Sequence, residues 1–170
     1  MPAKYNIAVL GAGSWGTTLA VLLDENGHHV TLWEFYEELA AALRRDRENT
    51  RFLPDVSIPD SVVIETDMSA ALTAADLIVF VVPSHVTRNV ARQAAKSGRI
   101  TRKTMVVNAA KGLEEKTLKR MSEVLADELP VDAGQISTLS GPSHAEEVSR
   151  RMPTSVVIAG PWQRWETAGG

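Results

Sequence analysis

A chain of 170 residues, 44% of them hydrophobic, has the length of one domain and enough apolar surface for a core of its own. Its formal net charge of -3, with the positives scattered among acids, leaves no basic footprint for nucleic acid, and the lack of cysteine excludes disulfides, thiolate metal sites and a thiol nucleophile. The longest apolar run near the middle, Leu77 to Val82, is far short of the roughly 20 residues of a membrane span, and "MPAKYN" has no apolar signal core, so a cytoplasmic protein is expected.

Strands and helices alternate along the chain. Tyr5 to Leu10 reads as a buried strand and Trp15 to Asn26 as a helix, with Gly27 where a terminating glycine would fall. His29 to Trp33 is the second strand. Tyr36 to Arg47 is the second helix, with Leu39, Ala42 and Leu43 inward and Arg44, Arg45 and Arg47 interleaved with acids on the outer face. "ENTRFLPDVSIPDS" is the one long irregular connection and therefore a candidate functional loop. "VVIET", "LIVFVV", "MVVNAA", "ISTL" and "TSVVIAG" follow as short strands, separated by segments of helical spacing such as Leu118, Met121, Leu125 and Leu129. The four histidines show no i, i+4 pair, so no metal site is expected.

Continuous apolar strands separated by helices predict an α/β domain over residues 1–160 with a doubly wound, mostly parallel sheet covered on both faces, the Rossmann-type architecture. Residues 161–170 read as a tail or the start of a further domain, where Trp162 and Trp165 belong either to an exposed apolar face or to a flexible end. In such a sheet ligands bind beyond the carboxyl ends of the strands.

The first strand runs straight into "GAGSWG". Gly11, Gly13 and Gly16 fit G-x-G-x-x-G in its proper setting, between a strand and a helix. Gly11 permits the sharp turn, Gly13 lets a pyrophosphate approach the backbone, and Gly16 lets the helix lie close on the sheet. The helix dipole supplies only about 0.3–1 kcal/mol at an exposed site, so direct N–H hydrogen bonds must hold the anion. Ser14 and Trp15 carry those N–H groups, and the Ser14 hydroxyl is a further donor. At the end of the second strand, Glu34 is placed to accept from the adenosine ribose hydroxyls and to repel a 2′-phosphate, which favours NAD over NADP. Phe35 either stacks on the adenine or covers the edge of the core. Lys111 closes the strand "MVVNAA", where its ammonium could meet a phosphate or polarise a C2 oxygen; the plainer alternative is an exposed lysine before a glycine turn. Ser143 and Glu146 match the S-x-x-E capping box, so Ser143 either caps its helix or meets an anion there.

"GAGSWGT", "NTRFLP", "VPS", "NAAKGLE" and "SGPSHAEEV", in that order along nearly the whole chain, closely resemble the NAD(P)-dependent glycerol-3-phosphate dehydrogenases. The resemblance implies interconversion of sn-glycerol 3-phosphate and dihydroxyacetone phosphate by hydride transfer, a step that supplies glycerophospholipid precursors. It implies cofactor contacts at Ser14, Trp15, Pro83, Lys111 and Ala145, and substrate contacts at Lys111, Gly141 and Ser143. Asn49, Arg51 and Pro54 match the family's long loop, where a positional role is expected. "WEFYEE" is similar to NAD-specific members, with NADP remaining open. The resemblance also implies a second, helical domain carrying the proton-accepting lysine. No catalytic residue is therefore assigned among these 170, which by themselves are expected to be nearly inactive and to self-associate, for instance as a homodimer, through the apolar face left open. Two other functions suit the same fold: a non-catalytic dinucleotide-binding or sensing module, and half of another two-domain dehydrogenase of 2-hydroxy compounds.

Overall fold

The computed structural model describes residues 3–160. Along the chain run β1 (Asn6–Leu10), α1 (Ser14–Glu25), β2 (His29–Trp33), α2 (Glu37–Asp46), β3 (Glu48–Asn49), β4 (Leu53–Ser57), β5 (Val63–Glu65), α3 (Met68–Ala71), β6 (Leu77–Phe80), α4 (Ser84–Lys96), β7 (Met105–Asn108), α5 (Met121–Glu128), β8 (Ile136–Ser140), α6 (Ala145–Ser149) and β9 (Val157–Ala159). Seven strands make one sheet in the order β5-β2-β1-β6-β7-β8-β9. All neighbours are parallel except β8 and β9. The strand order reverses between β1 and β6, the point at which such sheets open a crevice.

Successive residues of each strand point to opposite faces, and both faces are filled. Ala8 and Leu10 of β1, with Ile78 and Phe80 of β6, pack on Val90, Ala91 and Ala94 of α4 and on Leu125 of α5. Ile7 and Val9, with Val30, Leu32 and Val79, pack on Ala20 and Val21 of α1 and on Ala40 and Leu43 of α2. The central strands β1, β6 and β7 are therefore almost wholly apolar, because each faces helices on both sides of the sheet.

The structure corrects the sequence reading in three places. The long connection is partly regular: β3 and β4 form a separate two-stranded antiparallel hairpin with a register irregularity at Glu48 and Asn49. Leu118 is no part of the helical face, since it sits at φ 55° and is 72% exposed in the loop before α5. "TSVVIAG" does provide a strand, but β9 runs antiparallel to β8 and every residue of it is exposed, so neither face is covered there by the described residues. Trp162 and Trp165 lie outside the described residues.

Candidate dinucleotide site

A cleft of about 950 Å³ opens over the carboxyl ends of β1, β2, β6 and β7. That is the upper end of the range for small-molecule sites and suits a ligand of dinucleotide size. Its floor is the glycine turn. Gly11 has φ +117°, and a Cβ there would lie 3.0 Å from Val82 Cγ1 and 3.1 Å from Val82 N. A Cβ on Gly16 would fall 1.8 Å from the Gly11 carbonyl oxygen, so α1 can start this close to β1 only with glycine. Gly13 differs: its φ of -74° suits any residue, and a Cβ there would meet nothing within 4 Å. The protein has no packing use for a glycine at that position, while a ligand closing on the backbone does. Gly13 is the N-cap of α1 and no side chain caps the helix, which leaves the first-turn amides to an external acceptor.

On the β2 side, Glu34 is 8% exposed and its Oε1 accepts a hydrogen bond from Tyr36 N at 3.0 Å. Oε2 has no partner among the described residues. Phe35 is 57% exposed and touches Trp33 and Tyr36 edge-on, so it lines the cleft and does not seal the core.

On the β7 side, Asn108 turns the chain by a hydrogen bond from Ala110 N to its Oδ1 at 3.2 Å, and the exposed Lys111 follows. Gly112, at φ +97°, faces Ser84 at the start of α4, which brings the Lys111 turn beside Pro83. Lys111 Nζ donates to the Ser143 carbonyl at 3.3 Å, so Lys111, Pro83, Ser143 and Ala145 reach one cleft from three loops. The capping-box alternative for Ser143 is overturned: the N-cap of α6 is His144, no side chain caps the helix, and the Ser143 hydroxyl donates weakly to the Gly141 carbonyl at 3.5 Å. The reason is a tight turn in which Ser143 N already donates to Gly141 O at 2.9 Å, delaying the helix by one residue. Gly141 itself does not line the cleft. It has φ +151°, and a Cβ there would come within 2.7 Å of the Ser155 carbonyl oxygen, so its demand is conformational.

Three features were missed or undervalued from sequence. Arg51 and Phe52, at the tip of the β3–β4 hairpin, line the cleft with the guanidinium 5.0 Å from the ring centroid. Asn49 is buried at the root of that hairpin. Arg88 of α4 holds the loop after Lys111 through a bidentate pair with Glu114, at 2.6 and 2.8 Å, and continues to Asp127 and Glu128 of α5. The polar composition of "NTRFLP" and the acid ending "NAAKGLE" were the available signals; neither shows which distant element each residue would meet.

The chain matches the family model for the N-terminus of NAD-dependent glycerol-3-phosphate dehydrogenase over residues 6–165. It is 49% identical over 157 residues to the glycerol-3-phosphate dehydrogenase [NAD(P)+] of Chlorobium luteolum, covering 92% of this chain and 46% of that relative. The enzyme of the same name from Moorella thermoacetica is 49% identical over 156 residues, with 92% and 45% covered. The crystal structure of glycerol-3-phosphate dehydrogenase from Coxiella burnetii superimposes with a TM-score of 0.83 at 35% identity, covering 91% of this chain and 46% of that one. This chain thus spans about half the length of the curated relatives it matches, and it belongs to the glycerol-3-phosphate dehydrogenase N-terminal family.

Proposed function

We propose that these residues are the dinucleotide-binding half of a glycerol-3-phosphate dehydrogenase that interconverts sn-glycerol 3-phosphate and dihydroxyacetone phosphate. One observation carries the proposal most: the empty space over Gly13, at an uncapped helix start, lies in a single cleft with Glu34 toward β2 and Lys111 toward β7. The amides of Gly13, Ser14 and Trp15 hold the pyrophosphate, Gly11 and Gly16 keep the turn tight, and Glu34 and Phe35 hold the adenosine. Pro83, Lys111 and Ala145 border the nicotinamide end, where the bound cofactor supplies the hydride acceptor or donor. Lys111 and Ser143 face the phosphorylated three-carbon substrate, and Gly141 serves by shaping the turn that presents Ser143.

NAD is the preferred cofactor and NADP the weaker one, because an acid stands at Glu34 where a 2′-phosphate would come. A cytoplasmic setting and the supply of glycerophospholipid precursors belong to the same proposal and rest on the family resemblance. So does self-association of this 170-residue polypeptide, for which Val156, Val157 and Ile158 offer apolar surface at about half exposure or more.

Titration with NADH and NADPH, followed by addition of glycerol 3-phosphate, tests the assignment. Tight NADH binding, weaker NADPH binding and almost no turnover by the 170 residues alone are expected, since loss of a general base typically costs about 10²–10⁴ in rate. Failure to bind either dinucleotide would overturn the assignment, and robust turnover would show that the base is already present here.

A further inference from the structure

Asn49 is 3% exposed, yet its side chain makes three hydrogen bonds. Nδ2 donates to the Ala12 carbonyl at 2.9 Å and to Thr17 Oγ1 at 2.8 Å, while Oδ1 accepts from Phe52 N at 3.2 Å. Ala12 lies 37 positions earlier in the chain, inside the glycine turn. A buried amide satisfied in this way ties two separate segments together, the hairpin tip on one side and the phosphate turn on the other.

The bond to Ala12 has a directional consequence. The Ala12–Gly13 peptide is trans, as are all peptide bonds among the described residues. In a planar trans peptide the C=O and N–H point in opposite directions. Holding the Ala12 carbonyl inward against the buried Asn49 therefore turns the Gly13 N–H the opposite way, away from Asn49. The Gly13 N–H has no hydrogen-bond partner among the described residues to resist rotation of that peptide; Gly13 is tied to α1 only through its carbonyl, which accepts from Thr17 N at 2.9 Å. The same Asn49 also closes the turn that carries Arg51 and Phe52 to the cleft wall, because Phe52 N donates both to its Oδ1 and to its backbone carbonyl at 3.2 Å.

We infer that Asn49 is a positioning residue for the dinucleotide: it orients the Gly13 amide toward the pyrophosphate and fastens the hairpin over the same cleft. The inference rests on the dinucleotide-site reading above. Asn49 itself touches the protein and not the ligand. Hydrogen bonds to charged groups are the stronger kind, so misdirecting a single amide is expected to weaken pyrophosphate binding by about tenfold or more.

The test compares Asn49→Ala with Thr17→Val in the 170-residue chain, measuring the melting temperature, the Kd for NADH and the amide spectrum of the glycine turn. Asn49→Ala loses three side-chain hydrogen bonds and Thr17→Val one, so both should melt lower, Asn49→Ala the more. Only Asn49→Ala releases the Ala12 carbonyl, so it alone should raise the Kd for NADH by about tenfold or more and shift or broaden the Gly13 amide signal before ligand is added. Thr17→Val should keep its Kd within about twofold of the parent. Affinities that simply follow the melting temperature in both variants, or an unchanged Kd in a folded Asn49→Ala, would overturn the inference while leaving the site assignment intact. A parent chain that does not bind NADH would overturn both. Should Asn49→Ala be too unstable to titrate, Asn49→Asp keeps the shape but cannot donate: a loss of affinity that persists at high salt supports the positioning role, and one that disappears on screening contradicts it.

Discussion

Gly13 and Gly16 stand three residues apart in one turn and answer to opposite constraints. A methyl on Gly16 collides with the Gly11 carbonyl, so Gly16→Ala should cost about 3 kcal/mol, the upper part of the usual range for overpacking. A methyl on Gly13 meets only open space, so Gly13→Ala should leave stability within about 0.5 kcal/mol of the parent yet weaken NADH binding. Thermal melts alongside NADH titrations check the pair; equal stability losses would place Gly13 in the packing class instead. At Glu34 the relevant quantity is a ratio. Glu34→Ala should narrow the preference for NADH over NADPH on the order of tenfold, equivalent to about 1.4 kcal/mol, and an unchanged ratio would remove Glu34 from its role. These residues were legible in the sequence because a turn and a strand end are local features. For Ser143 the sequence named the residue but left cap and anion contact open, since the S-x-x-E spacing is silent about the Gly141 carbonyl that draws Ser143 N into a turn.

Among the elements, α4 and α5 are joined by charge as well as by packing. Arg88 reaches Glu114 across 26 positions and Glu128 across 40, and Arg92 adds a second bond to Glu128 at 2.9 Å. Hydrogen bonds from Arg88 first, and from Thr117 next, hold the Glu114 carboxyl down at about 2 from its ordinary 4.5. A carboxylate with a depressed folded pKa stabilises the fold fully above its unfolded value and loses that contribution as the pH falls through the folded one. The stability lost in Glu114→Gln should therefore be largest at neutral pH and shrink between about pH 4.5 and pH 2. Denaturant melts across that window measure it, and a pH-independent difference would contradict the pairing. Below this network, Leu125 is fully buried against the sheet, and Leu125→Ala should cost about 2–5 kcal/mol. The helical spacing of Met121, Leu125 and Leu129 was readable from their period, whereas partners 26 and 40 positions away leave no periodic trace. Leu118 fitted that period by spacing alone; the loop it occupies is set by Glu114 N donating to Lys119 O at 2.9 Å.

For the molecule as a whole, the doubly wound order gathers the closing residues of β1, β2, β6 and β7 beyond the carboxyl ends of the sheet, because parallel strands all end on the same side, and the β3–β4 hairpin adds Arg51 and Phe52 to the same cleft. The shared side of the strand ends followed from alternating strands and helices. The direction of β9 did not, since an apolar run looks the same in either sense, and its face is exposed among the described residues. Sedimentation at rising concentration should show association, and Val157→Lys should reduce it; a clean monomer throughout would count against that face as a contact. The most direct measurement of the central claim is the amide spectrum of the chain during titration with NADH. Gly13, Ser14 and Trp15 should show the largest shifts and saturate together with the binding isotherm. Saturable binding that leaves those three amides unmoved would show that the dinucleotide is held elsewhere.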